Sequence, residues 1–481
     1  MWWIYLLTAA AAALIVFIAV ILIRTAMFKP HREETPESIS PEFDGEYAVK
    51  TLAEMIKCRT VSSREKNNED EKEFDKFKEL LPKLFPETHK VCEREFIGDR
   101  AVLYKWKGRI PEKPTVFMAH FDVVSVVEEN WSRPPFDAVI EDGVLWGRGT
   151  LDTKGTLNGV MSAAENLIKQ GFIPEHDIYF SFAGDEEISG YGAPSVVDEL
   201  EKRGIKPELV IDEGGAVVEN VFPGVKSPCA LVGIAEKGPL DIKYEIKSQG
   251  GHASAPPPHT AVGKLSAACV KIENKPFKME ISRAVREMFD TLGRHSTFVY
   301  RMIFANLWCF KGVLDKMCRK KGGELNALMR TTVAFTQMEG SKGSNVLPPY
   351  AKMVSNLRLN GSETVESAVE YLRKTAGDAD IDISVIYGTN PSLVSDTSCE
   401  SWRKVKNAIS CTWPEAIVSP YLMVACSDSR HFNRISDKVY RFSAMALSSE
   451  ERAMIHGNDE RVPLSTVKKT VEFYINIMKM C

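Results

Sequence analysis

Histidines and acids gather at a few points in this chain of 481 residues, each just past a short apolar run. His120 and Asp122 stand in Met118-Ala119-His120-Phe121-Asp122. Asp152 follows Gly147-Arg148-Gly149-Thr150-Leu151. Asp185, Glu186 and Glu187 follow Ile178–Ala183, Asp212 and Glu213 follow Leu209–Ile211, and His456 lies far downstream in a polar loop. Imidazoles and carboxylates are ligands for divalent metals. Amide hydrolysis near neutral pH needs an activated water and a polarised carbonyl, which two metal ions held close together can supply, together with a base that is not itself a ligand.

Taken singly, each point has a plainer reading. A lone His near a strand end is commonly structural. Asp152 before a helix can be an N-cap, and Asp185-Glu186-Glu187 can be a solvated acidic turn. Taken as a set, they divide into roles. His120 binds metal, with Asp122 fixing its tautomer from behind. Asp152 can bridge two metals. Glu187 binds metal, and Glu186 shuttles a proton if burial raises its pKa. One of Asp212 and Glu213 is a further ligand, and His456 completes the second site.

The elements that must position these residues alternate. Helical patterns start at Tyr47 and around Phe74–Leu84. Strand-like runs at Thr115–Ala119, Ile178–Ala183 and Leu209–Ile211 are separated by helical patterns at Lys154–Lys169 and Pro194–Arg203. This predicts an α/β fold, a three-layer catalytic domain with helices on both faces of a mixed sheet. Ligands bind such sheets beyond the carboxyl ends of the strands, where these acids and histidines fall. From about Glu236 the pattern becomes one-sided: strands at Asp241–Lys247, Ala351–Leu359 and Ile381–Tyr387, a turn at Gly250–Pro258, and a helix at Val365–Thr375. This predicts an inserted α+β domain with a half-exposed sheet whose edge suits pairing with a second copy. The domains are expected at 47–235 and 393–481 (catalytic) and 236–392 (inserted). The segment Lys275–Lys320 fits neither pattern.

Residues Trp2–Ile23 are almost uninterruptedly apolar, long enough for a helix across the ~30 Å hydrocarbon layer. The expectation is a single-pass N-terminal anchor over 1–29, with a cleaved signal peptide as the alternative, and a Pro/Glu/Ser-rich linker over 30–46. Arg24, Lys29 and Arg32 after the span favour a cytoplasmic body, but Glu33 and Glu34 sit among them, and the side is left open. Charge is nearly balanced, 61 Lys and Arg against 65 Asp and Glu. This argues against nucleic acid as a partner. The ten cysteines are scattered without a C-x-x-C pair.

The order A-H-F-D-V-V, G-R-G-T-L-D-T-K-G, G-D-E-E-I-S-G, I-D-E-G-G, G-G-H-A-S-A-P-P, S-D-S-R-H-F and H-G-N-D-E-R-V resembles the di-zinc aminoacylase and carboxypeptidase family of metallopeptidases. The likeness is greatest to its carboxypeptidase S and N-acyl-amino-acid hydrolase branch, and runs from about Ala48 to the C-terminus. The resemblance implies two zinc ions, with cobalt or manganese able to take their place. His120, Asp152 and Glu213 would hold one ion, and Asp152, Glu187 and His456 the other. It implies Glu186 as general base, Asp122 behind His120, and His252 as an oxyanion-stabilising residue that reaches a partner subunit's site in a homodimer. Asn345, Arg358 and Arg430 fall where relatives bind substrate, Arg430 being the first choice for gripping a carboxylate. Thr153 stands where relatives carry a second Asp, next to an unusual cis peptide of the family.

The reaction this implies is hydrolysis of a peptide or N-acyl amide bond beside a free carboxylate. The alternatives are an aminopeptidase or dipeptidase that recognises a free amine, and a catalytically inactive binding protein on the same fold.

Overall fold

A computed structural model of the chain describes residues 2–31 and 40–481. Residues 32–39 of the expected linker, with Arg32, Glu33 and Glu34 among them, lie outside the described residues. In chain order the first strands are β1 (Glu93–Ile97), β2 (Ala101–Trp106), β3 (Ile110–His120), β4 (His176–Ala183), β5 (Leu209–Val218) and β6 (Cys229–Glu236). Then follow β7 (Gly238–Lys247), β8 (Thr332–Glu339), β9 (Tyr350–Leu359), β10 (Asp382–Gly388), β11 (Ile417–Met423) and β12 (Val439–Leu447).

Eight of these make one sheet in the order β1-β2-β4-β3-β5-β12-β6-β11. The pairs β3/β4, β3/β5, β5/β12 and β6/β11 are parallel, and β1/β2, β2/β4 and β12/β6 antiparallel, so the sheet is mixed. Successive strand residues point to opposite faces, and the interior strands bury both. Phe117 of β3 faces the layer that contains Leu157, Val160 and Tyr474, while Val116 and Met118 face Val196, Val197 and Leu200. Helix α1 (Trp2–Met27) packs elsewhere, whereas α2 (Gly45–Ile56), α3 (Glu71–Leu84) and α4 (Lys154–Lys169), which carries Leu157 and Val160, lie in the first layer, and α5 (Gly192–Lys202) carries Val196, Val197 and Leu200 in the second. Phe117 is fully buried, edge-on to Tyr474 at 5.7 Å. Its truncation to Ala would cost about 3–5 kcal/mol.

Further helices are α6 (Ala261–Asn274), α7 (Arg283–His295), α8 (Phe298–Ala305), α9 (Leu307–Lys321), α10 (Val365–Ala376), α11 (Glu400–Thr412) and α12 (Leu464–Met478). A second, antiparallel sheet runs β8-β9-β7-β10. It buries one face under α6 and α10 around Leu240, Ile242, Leu265, Leu357 and Leu372, a core separate from that of the large sheet. The period-2 pattern of Asp241–Lys247 follows directly from this one-sided burial.

The segment that fits neither sequence pattern forms α7, α8 and α9. Met288, Phe289, Leu292, Phe304, Leu314 and Cys318 join the core of the large sheet, beside Val418 and Tyr421 of β11. Helix α1 is long and apolar enough to cross a membrane, and of its residues only Ile21 and Thr25 are buried. All ten cysteines are free.

Candidate metal centre

Strand ends bring the acids and imidazoles together. β3 ends on His120, whose register partner on β4 is Ala183, and the chain beyond β4 turns through Gly184 and Asp185 into Glu186. β5 carries Asp212 and Glu213 on the other side of β3. Its pairing with β12 slips between Asp212 and Gly215, leaving Glu213 and Gly214 in a bulge. The bulge turns Glu213 toward the pocket. Gly214 is needed there: its φ is 138°, and a Cβ would lie 2.6 Å from Met423 Sδ. Asp212 points elsewhere, its Oδ2 accepting from the Ser429 amide at 3.0 Å. Of the two acids, Glu213 is the one grouped with His120 and Asp152.

His120 Nε2 lies 3.0 Å from Asp152 Oδ1 and 3.5 Å from Glu213 Oε1. His456 Nε2 lies 3.1 Å from Asp152 Oδ2 and 3.0 Å from Glu187 Oε2. In each of the two sets, His120–Asp152–Glu213 and Asp152–Glu187–His456, the donor atoms lie within 4.8 Å of one another. Each thus has the composition of a metal cage, and the two share one carboxylate.

The electrostatics fit the same description. Burial, with Asp152 close by, pushes the Glu213 carboxyl well above its usual range. Burial raises Glu187 as well. Burial opposes a charge on His120, yet Glu213, Asp122 and Asp152 raise its pKa well above normal. The Asp152 and Glu187 carboxylates lift His456 to about 10. Burial would raise Asp152, but the two imidazoles outweigh it and hold its carboxyl low. Acids crowded this closely need positive charge between them, which divalent cations provide.

The surroundings hold the cages in place. Asp122 is fully buried and lies 3.3 Å from His120 Nδ1 through Oδ1. Its carboxylate also accepts from the Glu186 and Glu187 amides, both at 3.1 Å, and from Ser62 Oγ at 2.7 Å. One acid thus contacts both the His120 imidazole and the turn that carries Glu186 and Glu187. The Asp152–Thr153 peptide is cis, as the resemblance implied, although Thr153 replaces the second Asp. Thr153 Oγ1 bonds both the His120 amide and the His120 carbonyl at 3.1 Å. Thr153, not Asp152, is the N-cap residue of α4, so the capping alternative for Asp152 does not apply.

Glu186 is largely shielded, and burial raises its carboxyl well above the ordinary value, with His120 opposing and Asp428 adding to the rise. Arg430 is half-buried near Glu236, Cys426, Tyr387 and Asp428, which keep it charged against the effect of burial. Arg358 donates to Cys426 Sγ at 3.1 Å. Both arginines thus lie near Cys426, Arg358 from β9 of the small sheet and Arg430 from the segment after β11. His252 and Asn345 stand apart from the cages, both exposed, in a small two-stranded turn where the Ala253 amide donates to the Asn345 carbonyl at 3.0 Å. Ser254 Oγ holds His252 Nδ1 at 2.7 Å.

Three residues with clear roles were not singled out from the sequence. Glu460, fully buried, accepts from the Gly149 and Leu151 amides at 3.1 and 2.7 Å and from Arg148 at 2.6 Å, which shapes the turn before Asp152. Asp428 is buried beside Asp212, and that burial, with the Asp212 charge adding to it, pushes its carboxyl well above the usual range. Ser62 supports Asp122. Glu460 and Asp428 stand inside motifs read as H-G-N-D-E and S-D-S-R, which is the only sign the sequence gives of them.

Residues 116–480 match the family model described as peptidase family M20/M25/M40. A Dictyostelium discoideum protein named "Probable carboxypeptidase S-like 2" is 35% identical over 89% of this chain and 84% of its own length. The N-fatty-acyl-amino acid synthase/hydrolase PM20D1 of Xenopus tropicalis is 33% identical over 98% of this chain and 94% of its own. Among solved structures, an M20 metallo-carboxypeptidase from Sulfolobus solfataricus superposes with a TM-score of 0.67 at 18% identity, over 90% of this chain and 98% of that one. The α/β fold with its mixed sheet is therefore that of the M20 structures, and the chain belongs to peptidase family M20/M25/M40, a family of metal-dependent hydrolases.

Proposed function

We propose that this chain is a dinuclear-metal amidohydrolase that cleaves an N-acyl amino acid, or a peptide, at the amide bond next to a free carboxylate. The observation that carries this reading is the pair of donor sets sharing Asp152. His120, Asp152 and Glu213 would hold one cation, and Asp152, Glu187 and His456 the other. Zinc suits these ligands, and cobalt or manganese can occupy them. When bound, such a pair supplies an activated water and polarises the scissile carbonyl.

The protein's own residues do the rest. Glu186, shielded and with a raised pKa, takes the proton from the attacking water and returns it to the leaving nitrogen. Asp122 keeps the His120 imidazole in one tautomer. Arg430 grips the carboxylate of the substrate, with Arg358 and Asn345 contributing from the inserted domain. The carboxypeptidase and N-fatty-acyl-amino-acid hydrolase names of the relatives support this substrate class.

Residues 236–392 act as lid and dimerisation domain in this reading, with the open edges β8 and β10 available for pairing. His252 then serves the partner subunit's site, stabilising the oxyanion there. Helix α1 anchors the protein in a membrane.

Glu186→Gln tests the chemistry. It should lower turnover by about 10²–10⁴-fold while the metal content stays at the wild-type level. Full activity in that variant removes Glu186 as base. Mixing Glu186→Gln with His252→Ala subunits should restore part of the activity, since one site in the mixed dimer has both residues intact. N-blocked and C-blocked substrates separate this reading from an aminopeptidase.

A further inference from the structure

We propose that α8 and α9 form a second membrane contact, a basic and aromatic surface lying in the headgroup layer of an anionic bilayer beside the point where α1 leaves it. The inference rests on the reading of α1 as a span.

The C-terminal end of α1 is built into these helices. Asn306, fully buried between them, donates to the Ile21 carbonyl and to Thr25 Oγ1, both at 3.2 Å. Arg24 donates to the Ala305 carbonyl at 3.1 Å. Arg294 of α7 donates to the Lys29 carbonyl at 3.1 Å and lies over the Phe28 ring. The body of the protein is thus fixed to the last turns of α1 rather than hung from a loose tether.

The depth of that joint determines what α9 touches. Trp308 meets Phe17 edge to face, with ring centroids 5.6 Å apart. Phe17 lies well inside the apolar run that ends at Ile23, about 9 Å before its end at the helical rise per residue. With α1 in a bilayer, Trp308 is held at the level of the lipid.

The face around Trp308 has the chemistry of an interfacial element. Phe298, Val299, Tyr300, Trp308, Val313 and Met317 are all exposed. Lys311, Lys316, Arg319, Lys320 and Lys321 lie among them, and the one acid of α9, Asp315, is already engaged by Arg319 and Arg330. From Arg283 to Lys321 there are nine Lys and Arg against three Asp and Glu. On the opposite side of α9, Leu314 and Cys318 are buried against the protein core, so its exposed side is fixed outward. Exposed aromatics flanked by cations match the boundary between acyl chains and anionic headgroups. A lipid surface is favoured as occupant because the patch is continuous with α1, which is left uncovered by protein except around Ile21 and Thr25 and at Phe17.

The test uses the full chain in nanodiscs of phosphatidylcholine and phosphatidylserine. A fluorescent amino acid replaces Ile15 in α1, Val313 in α9, or Ile386, exposed on the small sheet, and quenching by nitroxide-labelled lipids is measured. Quenching at 15 and 313 but not at 386 is the expected result, and the double change Lys316→Glu and Lys320→Glu should weaken it at 313 only. Quenching at 15 alone overturns the proposal while the span stands. Absence of quenching at 15 removes the span, and the proposal with it.

Discussion

Asp152 gives one carboxylate oxygen to each of two imidazoles: Oδ1 lies 3.0 Å from His120 Nε2 and Oδ2 3.1 Å from His456 Nε2. No other side chain belongs to both donor sets. Asp152→Asn keeps the shape and loses the second anionic oxygen. The variant should bind fewer metal ions per chain by elemental analysis and lose at least about 10²-fold in kcat/KM. An Asn variant with wild-type metal content and rate would refute the bridging role.

Glu460 is the support whose loss should cost most in stability. It and Arg148 are both buried, and the pair is 2.6 Å apart. Glu460→Gln leaves the guanidinium without its counter-charge, at a cost of about 3–5 kcal/mol. Denaturant melts should show this, whereas Glu141→Gln, which breaks the exposed pair with Arg133, should change stability by less than about 1 kcal/mol.

Lys237 predicts a pH dependence. Its ammonium group is buried and donates to the Ala327 and Arg330 carbonyls, each at 2.8 Å, with no carboxylate partner among the described residues. Burial, with Arg358 adding to it, lowers its pKa from 10.5 to about 7. The unfolded lysine keeps its proton up to about 10.5 and the native one releases it near 7, so between these values the unfolded state binds more protons. Stability therefore rises with pH across that window, by up to about 1.4 kcal/mol per pH unit, and this term is flat below pH 7. Lys237→Met should flatten the slope measured between pH 7.5 and 9.5, and an unchanged slope would assign it to other groups.

Arg430 predicts substrate selectivity. Wild-type enzyme should prefer an N-acyl amino acid to its C-terminal amide. Arg430→Met should remove about 1.5–3 kcal/mol of that preference, read as the ratio of kcat/KM values for the two substrates, with the amide scarcely affected. A ratio that survives the substitution would move the carboxylate-binding role to Arg358.

Much of this site was legible because apolar runs mark strand ends and strand ends mark the pocket. His120, Glu186 and Glu187 follow their runs directly, and the helix expected at Lys154–Lys169 spans those residues. The sequence reading stopped where structure depends on a distant partner. Leu209–Ile211 reads as a complete strand, yet β5 continues to Val218 through a bulge, and that bulge separates Glu213 from Asp212. Glu460 and Ser62 act on residues hundreds or tens of positions away, so no local period reveals them. In α7 the residues Val285, Met288, Phe289 and Leu292 do follow a helical period onto the large core, whereas the residues around Asn306, between α8 and α9, answer to α1, a partner far away in the chain.

The two imidazoles differ sharply in access: the His120 side chain is 2% exposed and that of His456 54%. Ions at these positions would exchange on different clocks. Under a dilute chelator the outer one would leave first, and stored enzyme would drift toward a half-loaded population whose inner ion persists. Brief incubation with fresh cation would then revive old preparations without any refolding.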